Sequence, residues 1–513
     1  MASTQSSPHP LHLVMPRLGT DAEFAALREL LLSCGFTTGG ICGRLRIPSI
    51  AGYKDLRQGR EVAVNLEEPV DALIRLLLDG EFLELSDAVR LLPAGALETL
   101  EALNLAQHDR DWPSLWYATV TLYPVGNLWM VSDRASTPDK QDYRPPADVV
   151  YPAVVENTRE FLATLPETPC DALLDIGTGT GIAALAAAGF ARHVWGLDIA
   201  ARSVRFAQFN QRLNEISNAT MLEGDLYEPV EGLTFDRIVA HLPYVPARKT
   251  KLIYRDGGED GEQILRRVVE GLPRFLRPSG RFYTFILGVD CEGETFEERI
   301  RRWLGPQHDE FDLVLVSYAL RTPAEFISHV LNKGTSPIED VRFWGELWQQ
   351  RKVQFVFYGP VMIRRHEGGR PGITARAQKG TGFRREHVDW LLDWETEARD
   401  PDILGRLLAS KPFLSPDCRM AISHRVQGSR FVPEVFVFES SQPFQSECRV
   451  QGWLARTVAA CDGARTWGEH YESARQEGSL PPQVTEADFA AILGAMVSNG
   501  VLRIADRPLP AAE

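Results

Sequence analysis

No run of 18 uncharged apolar residues occurs in the 513-residue sequence, and its opening, MASTQSSPHPLHLVMPRLGT, lacks a basic segment followed by an apolar one. A spanning helix and a secretory leader therefore have no candidate, and a cytoplasmic protein is expected. Cysteine is sparse. The seven residues at 34, 42, 170, 291, 418, 448 and 461 are odd in number, form no CxxC and join no histidine at zinc-finger spacing. That excludes a disulfide framework and a zinc module, leaving reduced thiols and no metal site. Positive charge is in deficit, 55 Lys and Arg against 69 Asp and Glu, a net charge of -14. A surface that coats a polyanion is excluded, although local basic segments remain. No fixed-period repeat is present, which excludes a solenoid. Hydrophobic residues at 44% and charged residues at 24% are ordinary for folded domains, so disorder is excluded for the bulk. At roughly 100–200 residues per domain, the length implies three or four of them.

Residues 1–19 read as a flexible leader. From Phe24, spacings of three and four residues through Leu27, Leu30, Leu31 and Cys34 predict an amphipathic helix ending near Gly35. Further helical stretches, then YATVTLYP and LWMVSD as two strands, predict a winged-helix-like domain over 20–132. Such a module either reads nucleic acid or only packs against protein, and both readings stand. The Pro- and Asp-rich ASTPDKQDYRPPADV is a linker or covering loop. From residue 151, helices alternate with DALLDIG, HVWGLDI, ATMLEGD, DRIVAHLPY and RFYTFIL, the order of a doubly wound parallel sheet. The expected α/β fold therefore has a central Rossmann-like domain over 133–330. An α+β subdomain over 331–440, with VQFVFYGPVMIRR and SRFVPEVFVFES as strands, and a second winged-helix-like domain over 441–513 follow.

The strongest chemical signal is LLDIGTGTGIAALAAAG, where an apolar strand ends at Asp175 and Gly177, Thr178, Gly179 and Gly181 form a turn that opens a helix. Glycine lets the chain turn sharply and brings backbone N–H groups against a ligand. The dinucleotide fingerprint needs glycine at 182, which is Ile182, so another nucleoside ligand is favoured over NAD or FAD. Asp198, followed by Ile199, ends the second strand 17 residues after Gly181, where an acid can accept from both ribose hydroxyls. Asp225 and Leu226 end the third, placed for an adenine edge and face. Asp175, Asp198 and Asp225 are expected to converge on one crevice.

DIGTGTG, GLDI, GDLYEP and the strand ending in HLPY resemble the motifs of class I S-adenosylmethionine-dependent methyltransferases over about residues 145–290. Within them, IVAHLPYVP and the following RDGGEDGEQILRRVVEGLPRFLRPSGRFYTFI are similar to the release-factor glutamine methyltransferase (HemK-like) family, whose strand-four motif is Asn-Pro-Pro-Tyr. The resemblance implies that S-adenosyl-L-methionine is the cofactor and that Asp175, Gly177, Thr178, Gly179, Gly181, Asp198, Ile199, Asp225 and Leu226 hold it. It also implies that His241, Pro243 and Tyr244 position a planar nitrogen of a protein side-chain amide or a nucleobase for methylation. Pro243 and Tyr244 match the motif, whereas His241 replaces asparagine and Leu242 replaces the first proline.

The replacement changes the chemistry, since a carboxamide offers donor and acceptor together while neutral imidazole offers one of each on different edges. Either His241 takes a proton from another nucleophile, for which a pKa near ~6.5 suits it, or it is a tolerated change and backbone and Tyr244 do the positioning. The alternatives are a methyltransferase of small molecules or peptide natural products with His241 as base, and a cofactor-binding interaction protein without turnover. Two basic segments are candidate contacts for a protein or nucleic-acid partner: 248–255, with Arg248, Lys249, Lys251 and Arg255, and 364–385, with Arg364, Arg365, Arg370, Arg376, Lys379, Arg384 and Arg385 in a Gly-rich frame. The oligomeric state has no sequence signal.

Overall fold

Thr20 starts the first helix by a reciprocal cap: its hydroxyl accepts from the Glu23 N–H, and the Glu23 carboxylate accepts from the Thr20 N–H at 2.6 Å. The computed structural model describes residues 14–50, 65–134, 136–138, 145–334 and 336–510. Residues 1–13 of the expected leader and 135 and 139–144 of the expected linker lie outside them. Of the remaining leader, Arg17 donates its backbone N–H to Leu103 at 2.9 Å, so this part is fixed to the domain.

The chain packs as two units, one comprising the described residues up to Leu162 with Glu167–Thr284, the other Ala163–Pro166 with Phe285 onward. They part inside a strand rather than at residues 132 and 330. The first 130 residues belong with the parallel sheet because the stripe of the Asp21–Ser33 helix is buried on the Ala201–Leu213 helix. Phe24 meets Phe209 with ring centroids 4.9 Å apart, and Arg212 lies over the Phe24 ring and pairs with Asp21 at 2.7 Å.

Ahead of the sheet, helical residues 69–78 lead to Leu83–Glu84, the helices Leu85–Leu91 and Ala96–Ala102, and the strands Ala106–His108 and Leu115–Ala118. The last of these is central in a three-stranded antiparallel sheet, so helix, strand, helix, helix, strand, strand is the observed order over 69–118. YATVTLYP, expected as one strand, is two. The ladder breaks at Thr119, whose N–H turns to Leu105, and the carbonyl of Ala118 accepts from the Arg134 guanidinium. Thr121–Val125 then pairs with Leu128–Ser132 in a separate hairpin. Asn210, fully buried on the Ala201–Leu213 helix, both donates to and accepts from Val131 of that hairpin, at 3.0 and 2.8 Å.

The parallel sheet has Cys170–Ile176 in the middle, flanked by Ala191–Asp198 and then Ala219–Glu223 on one side, and by Phe235–Ala240 and then the first half of Leu276–Cys291 on the other. Its central strands are continuous apolar runs because helices cover both faces. The order reverses between Cys170–Ile176 and Phe235–Ala240, which opens a crevice at the carboxyl ends of those two strands.

In the second unit, Phe311–Ser317 lies between Val353–Arg365, antiparallel, and Thr374–Lys379, parallel. Both strands expected in this region form, the second as Arg430–Ser440. It pairs with Arg419–Gln427 in a long ribbon, and every residue of that partner is exposed. The last helices, Gly452–Ala459, Trp467–Gln476 and Glu486–Ser498, end in Leu502–Ile504. That strand pairs with Pro412–Leu414, so the terminal region is completed by residues before 441.

Candidate functional site

At Gly177, Gly179 and Gly181, φ is 73°, 56° and 84°, the left-handed region where a side chain is strained. The turn is tied to the neighbouring strand: the N–H groups of Gly177 and Thr178 both reach the Leu197 carbonyl at 2.8 Å, and Gly179 donates to Asp198 Oδ2 at 2.9 Å. No heavy atom stands within 4 Å of where a side chain on Gly179 would begin, so one face of the turn is open backbone. Asn210 Nδ2 supports it from below through the Thr180 carbonyl at 2.9 Å.

Asp175 does not join the open face. Its carboxylate is buried behind the turn, where Oδ2 accepts from Thr178 Oγ1 at 2.6 Å and from the Ala184 N–H at 3.2 Å. Burial pushes its pKa up to about 7. Of the three strand-end acids expected to converge, Asp175 instead braces the glycine turn from behind. Asp198 remains at the rim, taking the Ala200 N–H on Oδ1 at 2.9 Å, with burial raising its pKa. Beside it, Ile199 is 56% exposed, an apolar side chain held into solvent at a strand end. Asp225 is paired with Arg267 at 2.7 Å, and Leu226 turns in the left-handed region at φ 53°.

Register brings these groups together. Ile176 stands opposite both Leu197 and Ala240, and Asp198 opposite Glu223, so Gly177, Asp198, Gly224 and His241 occupy adjoining positions at one edge of the sheet. A side chain on Gly177 would come within 3.8 Å of Leu242.

His241 lies on Phe161, with ring centroids 5.0 Å apart and planes 18° from parallel, and is 6.2 Å from the Tyr244 ring. Desolvation by the surrounding atoms lowers its pKa to about 4, so at neutral pH the imidazole is uncharged and a poor proton acceptor. The low pKa speaks against His241 as a general base. The hydroxyl of Tyr244 accepts a hydrogen bond from Asn157 Nδ2 at 3.0 Å. Asn157 and Phe161 are one turn apart on the helix Glu156–Leu162, so a single helix face holds both ends of the HLPY segment. From the other side, Gly257 and Gly261 press on the same segment. A side chain on Gly257 would lie 2.6 Å from the Pro243 oxygen and 3.0 Å from Tyr244 Cα; one on Gly261 would lie 2.6 Å from the Tyr244 oxygen. Tyr151 and Tyr254, both partly exposed, stack at 4.6 Å.

Sequence reasoning missed Asn157, Phe161 and Asn210. The only signal for the first two was their four-residue spacing, and nothing local marks Asn210. Gly257 and Gly261 lie in the RDGGEDGEQ stretch quoted for the family resemblance, where nothing local marks them as a clamp.

The two basic segments differ. Residues 248–255 form a defined loop, in which the Lys251 and Leu252 N–H groups donate to buried Asp256 at 2.7 and 3.0 Å and Val245 donates to Arg255 at 3.0 Å. The 364–385 segment, a candidate contact for a protein or nucleic-acid partner, includes the end of one strand and the strand Thr374–Lys379, and most of its arginines are paired internally. Arg364 and Arg370 pair with fully buried Asp312, Arg365 with Glu310, Arg376 with Asp290 and Glu297, and Arg385 with Glu386. Lys379 sits over the Tyr318 ring at 3.8 Å. Arginines held by carboxylates offer little net charge to phosphates, whereas Lys379 over a ring keeps its charge. Among the described residues, no cluster of His, Cys, Asp and Glu is arranged to hold a metal ion, and no helix is long and apolar enough to cross a membrane.

A methyltransferase-domain family model matches residues 168–292. A putative protein N5-glutamine methyltransferase of Methanocaldococcus jannaschii is 34% identical over 159 residues, 29% of this chain and 80% of that protein. The release factor glutamine methyltransferase of Moorella thermoacetica is 31% identical over 219 residues, 39% of this chain and 72% of that protein. The ribosomal protein uL3 glutamine methyltransferase of Bradyrhizobium diazoefficiens is 29% identical, covering 30% of this chain and 52% of that protein. With the glycine turn, the rim acid Asp198 and the HLPY segment on adjoining strand ends, the chain belongs to the glutamine methyltransferase (HemK-like) family of class I S-adenosylmethionine-dependent methyltransferases.

Proposed function

We propose that this enzyme methylates a side-chain amide nitrogen of a protein in the cytoplasm, using S-adenosylmethionine held at the Gly177–Gly181 turn. The observation that carries the reading is the adjacency of two features at one sheet edge: an open backbone turn beside Asp198 and Ile199, and an uncharged His241 leading into Tyr244. When bound, S-adenosylmethionine supplies an electrophilic sulfonium methyl carbon to a nitrogen nucleophile. The residues suit such a group. Asp198, held at the rim by the N–H groups of Gly179 and Ala200, would meet ribose hydroxyls, while Ile199 and Leu226 offer apolar surface to an adenine and Asp225 an acceptor to its edge. Tyr244 provides a flat ring for a planar acceptor, and the two glycines behind it fix where that ring stands. His241 adds no charge that would repel a sulfonium. The relatives named for release factors and uL3 support a protein acceptor, and regions flanking the matched residues give room for a large one.

Calorimetric titration with S-adenosylmethionine and with NAD, on the wild type and Asp198→Ala, tests the cofactor half. Selective binding of the former, weakened at least tenfold by the substitution, is expected. Transfer of a tritiated methyl group to a recombinant bacterial release factor and to uL3 tests the acceptor half. Labelling of metabolites and of no protein would overturn it.

A further inference from the structure

The HLPY segment leaves a chemical need unmet. An amide acceptor presents N–H and C=O side by side, and reading it takes a donor and an acceptor in one plane. Neutral His241 has them on opposite edges of a ring that lies against Phe161. The structure brings a carboxamide to the same place from another element: Asn157, exposed on the helix Glu156–Leu162, bonded through Nδ2 to the Tyr244 hydroxyl at 3.0 Å. That bond uses one N–H. The oxygen and the second N–H of the Asn157 carboxamide remain, the pair needed for two-point recognition of another amide. The same helix face places Phe161 beneath His241, so this one helix meets the segment at both His241 and Tyr244, with the carboxamide at the Tyr244 end.

We propose that Asn157 is the residue that reads the acceptor amide, pairing its carbonyl and free N–H with the N–H and C=O of the substrate side chain while Tyr244 fixes its orientation. The inference rests on the amide-acceptor reading above and names the specificity-determining residue within it. Asn157 thereby does from a neighbouring helix what position 241 does not do in this chain.

The test separates recognition from support of Tyr244. Binding of N-acetylglutamine methylamide to the full chain saturated with S-adenosylhomocysteine is measured by saturation-transfer NMR for the wild type, Asn157→Ala, Asn157→Asp and Tyr244→Phe. Removing the two proposed hydrogen bonds in Asn157→Ala should weaken the probe about tenfold. Tyr244→Phe, which removes the hydroxyl that Asn157 Nδ2 meets and keeps the ring, should weaken it about twofold. Asn157→Asp keeps a partner for Tyr244 but has no donor and should fall between them. Calorimetric affinity for S-adenosylmethionine should be unchanged in all four. Equal losses in Asn157→Ala and Tyr244→Phe would make Asn157 a mere support and overturn the proposal, as would wild-type affinity in Asn157→Ala. A wild type that methylates a release factor yet shows no affinity for the amide probe overturns this proposal alone. A wild type that does neither overturns the amide reading with it.

Discussion

The imidazole of His241 and the ring of Phe161 are stacked, and the burial that accompanies this contact is what keeps the histidine neutral. A histidine whose folded pKa is depressed binds fewer protons folded than unfolded between about pH 4 and 6.5, so the stability it contributes is present above that window and lost as pH falls through it. Over the window the loss is about 3 kcal/mol at 1.36 kcal/mol per pH unit. Thermal unfolding at pH 7.0 and 4.5 should therefore show a smaller drop for His241→Gln than for the wild type. In the wild type, kcat should show no break near pH 6.5. A break there that vanishes in His241→Gln would restore the histidine as a base.

Asp175 presents the opposite sign. Its pKa is raised to about 7, so ionisation opposes folding, and the cost grows as pH rises from the ordinary carboxyl range to neutrality. Both of its hydrogen bonds go to one oxygen, Oδ2, which an asparagine carbonyl can replace. Asp175→Asn should raise the melting temperature at pH 8, by about 1–3 kcal/mol equivalent, and much less at pH 5. Equal melting temperatures at pH 8 would show that the ionised carboxylate is not costly there.

Gly257→Ala should uncouple cofactor binding from turnover. Its added carbon would stand 2.6 Å from the Pro243 oxygen, a backbone atom of the acceptor segment, and makes no conflict with the glycine turn. Shifts of about 1 Å in a positioning group cost on the order of 10²-fold in rate. Calorimetry should find S-adenosylmethionine affinity within about threefold of wild type, with methyl transfer down at least tenfold. Unaltered turnover would show that the segment tolerates displacement.

Asp312 is fully buried and accepts from Arg364, Arg370 and the Ile373 N–H. Burial alone would raise its pKa, but Arg370, Ile373 and Arg364 hold it below the ordinary range. Asp312→Ala leaves Arg370 without its carboxylate and Arg364 with only Asp393 and Thr396, and should destabilise the second unit by about 3 kcal/mol. A denaturant midpoint that moves by less than the equivalent of about 1 kcal/mol would mean that solvent replaces the carboxylate.

How much was legible depended on whether the determinant was local. The glycine turn and the order of strands each follow from a few consecutive residues whose backbone demands are specific, and both form, with Asp198 at its expected strand end. Asp175 has the sequence context of a ligand and the position of a brace, a distinction that depends on Thr178 folding back onto it. The arginines of 364–385 read as free charge because their carboxylates, Asp290, Glu297, Glu310 and Asp312, lie more than 50 residues away along the chain. Asn157 was silent for the same reason: its partner Tyr244 is 87 residues on.

The seat of the first helix has a cost in time. Phe24 leaves the ribosome about 185 residues ahead of Phe209, the ring it packs on. At ~5–20 residues per second, Phe24, Leu27 and Leu31 wait on the order of 10–40 s before their covering helix is synthesised. During that interval the stripe has the Ala96–Ala102 helix against it but lacks the Ala201–Leu213 helix, so the N-terminal region reaches its final packing only after residue 213 has been made.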